Sequence, residues 1–210
     1  MYDHVLRIKL PRQATLIGYA DDIAIVVADK HLEDVIWACE KSVRLIKDWL
    51  VSHRLDLAEH KTEAVLVRGR KLKETLRFCM GQHVKESKGF IKYFGVMLDH
   101  RLTFKKHLSY AGEKATKVLG VLSGMVPNIG GPKPPRSLLL ARVSSSILLH
   151  AAPVWTKVLN VQAYRRKLSS VYRLSALRVA TAFRTTSKEA AFVVAGMVSI
   201  GILAEEIQTL

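Results

Sequence analysis

Two adjacent carboxylates, Asp21 and Asp22, lie between two short apolar runs at residues 15–19 and 23–28. Like charges held side by side repel unless a cation neutralises them. Hard divalent ions such as Mg2+ take carboxylate oxygens and keep open positions for water and phosphates. Pairs of metals held this way catalyse in-line displacement at phosphorus. The β-branched runs on either side predict a hairpin with Ala20, Asp21 and Asp22 as its turn. Such a turn would aim both carboxylates off a rigid scaffold. Asp-Asp is also ordinary turn filler, and the dipeptide alone clearly favours that plainer reading.

The elements that must hold this turn can be read from spacing. Asp29 can cap the next helix. From Leu32, the positions Val35, Ile36, Cys39, Val43, Ile46 and Leu50 recur every three or four residues. They predict an amphipathic helix ending near His53. Residues 62–67 and 91–98 read as strands. Helical spacing returns over 104–122, and a Gly- and Pro-rich segment at 124–135 reads as a hinge. Beyond it, 136–151, 161–183 and 187–196 read as helices. The fold class is therefore α+β, mixed at first and then all-helical, with no internal repeat.

Composition narrows the function. The 210 residues hold 33 Lys+Arg against 18 Asp+Glu, a net charge of +15. The pI is near 10.0 and the mean hydropathy +0.12, so the chain is no disordered polycation. Residues 1–60 carry 8 Lys+Arg and 10 Asp+Glu, whereas 61–210 carry 25 and 8. No acid occurs between Glu113 and Glu189, a stretch of 75 residues with 13 cations. Folded surfaces normally mix both signs, so this stretch reads as a footprint for a polyanion backbone. Cys39 and Cys79 form no C-x-x-C pair, which argues against a zinc site or a disulfide scaffold. The first residues show no apolar signal segment. The run 190–204 is too short for the ~20 residues of a membrane span, so no membrane partner is expected.

The context of the carboxylates goes further. Leu16-Ile-Gly-Tyr-Ala-Asp-Asp-Ile-Ala-Ile-Val27 resembles the Tyr-x-Asp-Asp motif of reverse transcriptases. Leu55-Asp-Leu-Ala-Glu-His-Lys-Thr-Glu-Ala-Val65 is similar to the next palm motif of non-long-terminal-repeat retrotransposon polymerases. Lys92-Tyr-Phe-Gly-Val-Met-Leu-Asp99 resembles their primer-grip strand, and Arg101-Leu-Thr-Phe-Lys-Lys-His107 its continuation. Residues 148–155 and 177–190 resemble the region after the polymerase domain in arthropod elements of the type-1 class. The likeness runs along essentially the whole chain.

The resemblance implies a partial right-hand polymerase: part of a palm over 1–100, a thumb helix over 101–126, a hinge near 123–135 and a helical extension over 136–210. It implies an RNA-directed DNA polymerase that joins dNTPs to a DNA primer on an RNA template, with Mg2+, or Mn2+, as cofactor. Asp21 and Asp22 would be catalytic metal ligands. Lys61 matches the palm lysine associated with the departing pyrophosphate; the plain alternative is an exposed loop lysine. Tyr19, Phe94 and Gly95 would lie along the primer, and Lys105, Lys106, Lys114 and Lys117 would track the template–primer backbone. Trp37, Trp49 and Trp155 read as core or rim aromatics. An intracellular, nuclear location is expected from the family alone.

The departures shape a second expectation. The family's further catalytic Asp, its Gly-rich template grip and its fingers have no counterpart before Gly18, and Asp3 does not match the missing ligand. Met1 therefore reads as an internal residue of a longer polyprotein, whose N-terminal part would be a partner. The usual Asn of the motif before Lys61 is Ala58, which should loosen that turn. The alternative function is a basic nucleic-acid-binding remnant without catalysis. A degenerate reading frame and a peripheral membrane protein rank below these.

Overall fold

The computed structural model describes residues 2–68, 75–81, 83–124 and 134–209. Most of the expected hinge, 125–133, lies outside them. The chain divides into two units, Met1–Ile91 and Lys92–Leu210.

The first unit starts with a short helix, α1 (Tyr2–Val5), followed by strands β1 (Ala14–Tyr19) and β2 (Asp22–Val27). The strands pair antiparallel, with Ala14 opposite Val27 and Tyr19 opposite Asp22. Alternation sends Leu16, Ile23 and Ile25 inward, where they pack on Val5, Ile46 and Leu50. Ile46 and Leu50 belong to α2 (Leu32–Ser52), whose buried residues Ala38, Ser42, Val43, Ile46 and Leu50 follow the spacing of one helical face. The buried Ser42 hydroxyl is satisfied within the helix, donating to the Ala38 carbonyl at 2.6 Å.

A second hairpin, β3 (Arg77–Met80) and β4 (His83–Glu86), also rests on α2. Phe78 and Met80 alternate inward and join Val43 and Leu76 in a separate cluster. The Cys79 N–H donates to the Glu40 carboxylate at 2.7 Å, tying the strand to the helix.

Two expectations need correction in this unit. Residues 62–67 do not form a strand of a sheet. A 3-10 turn at Glu59–Lys61 precedes them, and one parallel bridge, Val65 to Lys88, is their ladder contact among the described residues. Their apolar side chains are used all the same, since Ala64 and Leu66 pack on the β3 cluster. Asp29 does not cap α2. Its carboxylate accepts from the Lys30 and His31 N–H groups, at 2.6 and 3.3 Å, before the helix begins.

The second unit takes in the hairpin of β5 (Phe90–Tyr93) and β6 (Val96–Asp99), the unit boundary falling within β5. The sequence suggested one strand over 91–98. Instead Phe94 and Gly95 turn the chain, with φ of +46° and +81°, the sign a type I′ hairpin turn requires. Asp99 then joins strand to helix. Its carboxylate accepts from the Arg101 N–H at 3.1 Å, the Thr103 N–H at 2.7 Å and the Thr103 hydroxyl. Burial pushes this carboxyl up, but the hydrogen bonds from Thr103 and Arg101 outweigh it and hold the group below its ordinary value.

Helices follow: α3 (Lys105–Gly124), α4 (Pro134–Leu148), α5 (Ala152–Trp155), a 3-10 turn Thr156–Asn160, α6 (Gln162–Val179), α7 (Lys188–Ala195) and α8 (Ile200–Thr209). Their core gathers Phe104, Leu108, Leu148, Trp155, Leu168, Tyr172, Phe192 and Ile200. The Ser144 and Ser175 hydroxyls, both buried, satisfy each other between α4 and α6 at 2.6 Å. The periodic reading of 161–183 overruns the end of α6, and α8 had no separate signal. No single helix among the described residues is long and apolar enough to cross a membrane; α7 and α8 pass that test only as a pair bent by 62°.

Asp99→Ala removes the acceptor for three donors at the start of α3. It is expected to lower the stability of the second unit by about 2 kcal/mol, as for hydrogen bonds to a charged group. A urea denaturation curve checks this, and Asp99→Asn is expected to recover part of the loss.

Candidate functional site

The carboxylate turn is built by its strands. Tyr19 pairs with Asp22, leaving Ala20 and Asp21 as a two-residue loop. Loops this short need positive φ at the first position to follow the strand twist. Ala20 supplies it with φ of +52°, in place of the usual glycine or asparagine. A left-handed alanine costs on the order of 1 kcal/mol. The strand burial lent by α2 holds it there. Asp21 and Asp22 are exposed, and Tyr19 is 69% exposed on the outer face beside Ile17.

Two adjacent carboxylates are hard oxygen donors that suit Mg2+ or Mn2+. Among the described residues, no group of three or more His, Cys, Asp or Glu gathers to hold a metal. An ion on this turn would rest on Asp21 and Asp22, completed by water and phosphate oxygens.

Lys61 lies on a different element of the same unit. It is exposed at the end of the 3-10 turn, and its N–H donates to the Ala58 carbonyl at 3.0 Å. Alanine at 58 does not leave this turn without anchors. Glu59 forms an ion pair with Lys47 of α2 at 2.6 Å, and the Thr62 hydroxyl reaches the Ala58 carbonyl at 3.3 Å. The Lys47 ammonium holds the Glu59 carboxyl below its ordinary value, chiefly through that hydrogen bond. Gly81, with φ of +60°, lies against this pair. A Cβ there would stand 2.8 Å from Lys47 Nζ and 2.9 Å from Glu59 Oε1. Gly81, directly after β3, therefore lies close against the ion pair that anchors the 3-10 turn of Lys61.

Phe94, Gly95 and the four lysines all fall in the second unit. Phe94 and Gly95 are the turn itself. His150, which spacing did not single out, secures it: its Nε2–H donates to the Phe94 carbonyl at 2.8 Å. A Cβ on Gly95 would lie 2.9 Å from that nitrogen. The Trp155 indole N–H in turn donates to the His150 carbonyl at 2.8 Å. His107 of α3 is fully buried with its ring centroid 6.1 Å from that of Trp155. Burial keeps His107 below the ordinary imidazole value. The signal for His150 and Trp155 was present, since both lie in the 148–155 motif, but no chemistry attached to it. Lys105, Lys106, Lys114 and Lys117 are exposed along α3, outside its buried stripe of Leu108, Ala111, Ala115 and Leu119. Lys92 donates to the Tyr110 hydroxyl at 3.1 Å and lies over its ring, which keeps that phenol below its ordinary value.

No protein-family description and no solved structure matches the chain. The 115 kDa protein in type-1 retrotransposable element R1DM of Drosophila melanogaster is 24% identical over 203 residues. That similarity covers 96% of this chain, which spans about a fifth of the relative's length, 20%. The chain is thus distantly related to a retrotransposon protein, and its origin is retrotransposon.

Two predictions follow from the turns. Ala20→Gly relieves the left-handed alanine and is expected to stabilise the first hairpin by up to about 1 kcal/mol, read as slower amide exchange of β1 and β2. Because the Glu59 carboxyl is held low, its ion pair stabilises above its ordinary value near 4.5 and is lost as pH falls below it. The difference in denaturation midpoint between wild type and Glu59→Gln should be present at pH 7 and shrink as pH falls from about 4.5 through the lowered value of the folded carboxyl.

Proposed function

We propose that the chain is a segment of a retrotransposon RNA-directed DNA polymerase, bearing the catalytic carboxylates and the surface that grips the template–primer. The observation that carries it is the pair Asp21–Asp22 at the end of the first hairpin, Asp21 in its two-residue loop and Asp22 opening β2, inside the ordered series of motifs that runs along the chain. The distant R1 relative supports the retrotransposon origin on which this reading builds. In it, Asp21 and Asp22 are the residues that would hold divalent ions, which would supply positive charge at the primer end and the phosphates. Tyr19, beside them on the exposed face, lies along the primer or nascent pair, and Lys61 serves the departing pyrophosphate. Phe94 and Gly95 position the primer strand. The lysines of α3 neutralise backbone phosphates, with Lys105, Lys106, Lys114 and Lys117 as the first contacts. The fold proposed is the end of a palm followed by a thumb and a helical extension, acting in the nucleus with RNA template, DNA primer and dNTPs.

A second reading, a nucleic-acid-binding remnant, is favoured by one observation. The turn offers two carboxylates, and no larger acidic or metal-binding cluster stands among the described residues. A two-metal centre needs more oxygen donors than one such turn provides. Primer extension on an RNA template separates the two. The 210-residue chain alone is expected not to extend with Mg2+ or Mn2+, while extension by the parent polyprotein is expected to fall at least about 100-fold in Asp21→Asn. Extension that survives Asp21→Asn defeats the polymerase reading. Under either reading, the chain should bind template–primer with affinity that falls steeply with salt, and Asp21→Ala should leave that binding intact. A shallow salt slope counts against both.

A further inference from the structure

The segment 177–190 takes no part in the carboxylate chemistry, yet it is built with care. Helix α6 ends on a reversed turn: the Ala182 N–H donates to the Leu177 carbonyl at 2.9 Å and the Thr181 N–H to the Arg178 carbonyl at 3.4 Å. Helices that end this way usually place glycine at the left-handed position. Here Thr181 takes it, with φ of +50°, an uncommon conformation for a β-branched residue. Arg173, two turns back along α6, reaches over the loop and donates from Nη2 to the carbonyls of Arg184 and Thr186, at 2.6 and 2.5 Å. Ser187 then caps α7 by accepting from the Ala190 N–H at 3.2 Å. Ala182 packs on the core. The loop is thus fixed at its start, across its middle and at its end.

At the centre of this fixed loop Phe183 is 84% exposed. Leaving a phenyl ring in water forgoes the stabilisation its burial would bring, and the hydrogen bonds on either side fix the loop that presents it. The next residue is Arg184, exposed, and the nearest acid along the chain in either direction is Glu189. An exposed ring on a preorganised loop, inside a stretch of one charge sign, has the parts of a single-strand site. A π-face accepts any base, and flanking cations hold the backbone.

We propose that Phe183 is a stacking platform for an unpaired base of a single-stranded nucleic acid, with Arg184 supplying charge to its backbone and Arg173 acting as a positioning residue that fixes the loop. This rests on the reading of the second unit as nucleic-acid-binding, and it extends that reading to the unpaired strand. Because the base is held by its face, the site is tolerant of sequence.

The test uses the full chain, with a short single-stranded RNA and a duplex of equal length as probes, read by fluorescence anisotropy. Phe183→Ala should weaken single-strand binding roughly 5- to 150-fold, the range of one lost stacking contact. Duplex affinity and the salt slope should be unchanged, and Phe183→Trp should retain binding. A 2-aminopurine base in the single strand should be quenched by the wild type and not by Phe183→Ala. Equal binding by Phe183→Ala, or equal loss on both probes, overturns the proposal. So does a wild-type dimer in sedimentation that Phe183→Ala dissolves, which would make the ring a self-association contact. If the wild type binds neither probe, the nucleic-acid reading of the whole unit fails. If it binds both with a steep salt slope and Phe183→Ala does the same, only the stacking site fails.

Discussion

A two-stranded hairpin has little stability of its own in water. Each sheet among the described residues has two strands, so each depends on a helix to cover its apolar face. In the first unit that helix is α2. Its single buried stripe takes Leu16, Ile23 and Ile25 on one side and Phe78 and Met80 on another. The carboxylate tip is therefore only as rigid as the contact between β1–β2 and α2. The left-handed Ala20 is held in the same way, its local strain being offset by burial a few residues down each strand.

The second unit solves the same problem differently. Its hairpin turn is held by a side chain, His150, whose own carbonyl is held by Trp155. Trp155 is buried in the helical core, so the position of the Phe94–Gly95 turn is tied to packing among helices far along the sequence. Asp99 performs the matching task at the other end of β6, where three donors converge on it before α3 begins.

What the sequence made legible follows from how strong each periodic signal is. Helices α2 and α3 span about five turns each, and their apolar spacing is unambiguous. The first hairpin is equally plain, because two β-branched runs flank a polar dipeptide. The β3–β4 hairpin escaped because its strands have four residues, too few for alternation to stand out, and because Phe78 and Met80 find their partner on α2. Residues 91–98 form an apolar run with one glycine in it, and nothing local says that Phe94 also adopts positive φ. The turn that demands it is held by a hydrogen bond from His150, 56 residues away. The carboxylates could be read from the sequence as candidate ligands. The tasks of His150 and Arg173 could not, even though His150 lies in the 148–155 motif, since each acts on the backbone of a distant or folded-back segment and leaves no spacing of its own.

The 75-residue stretch without an acid stores mutual repulsion. Folding gathers its cations onto a surface of limited area, and the closeness opposes the compact state. Ionic strength then acts in two directions at once. Added salt screens the repulsion and favours the folded unit, while the same ions compete for whatever polyanion the surface would hold. A polyanion that prefers the folded form adds its binding free energy to stability by mass action. For such a surface, ligand and fold are thermodynamically linked: the unit is most stable at low salt when its ligand is present, and at higher salt when it is alone.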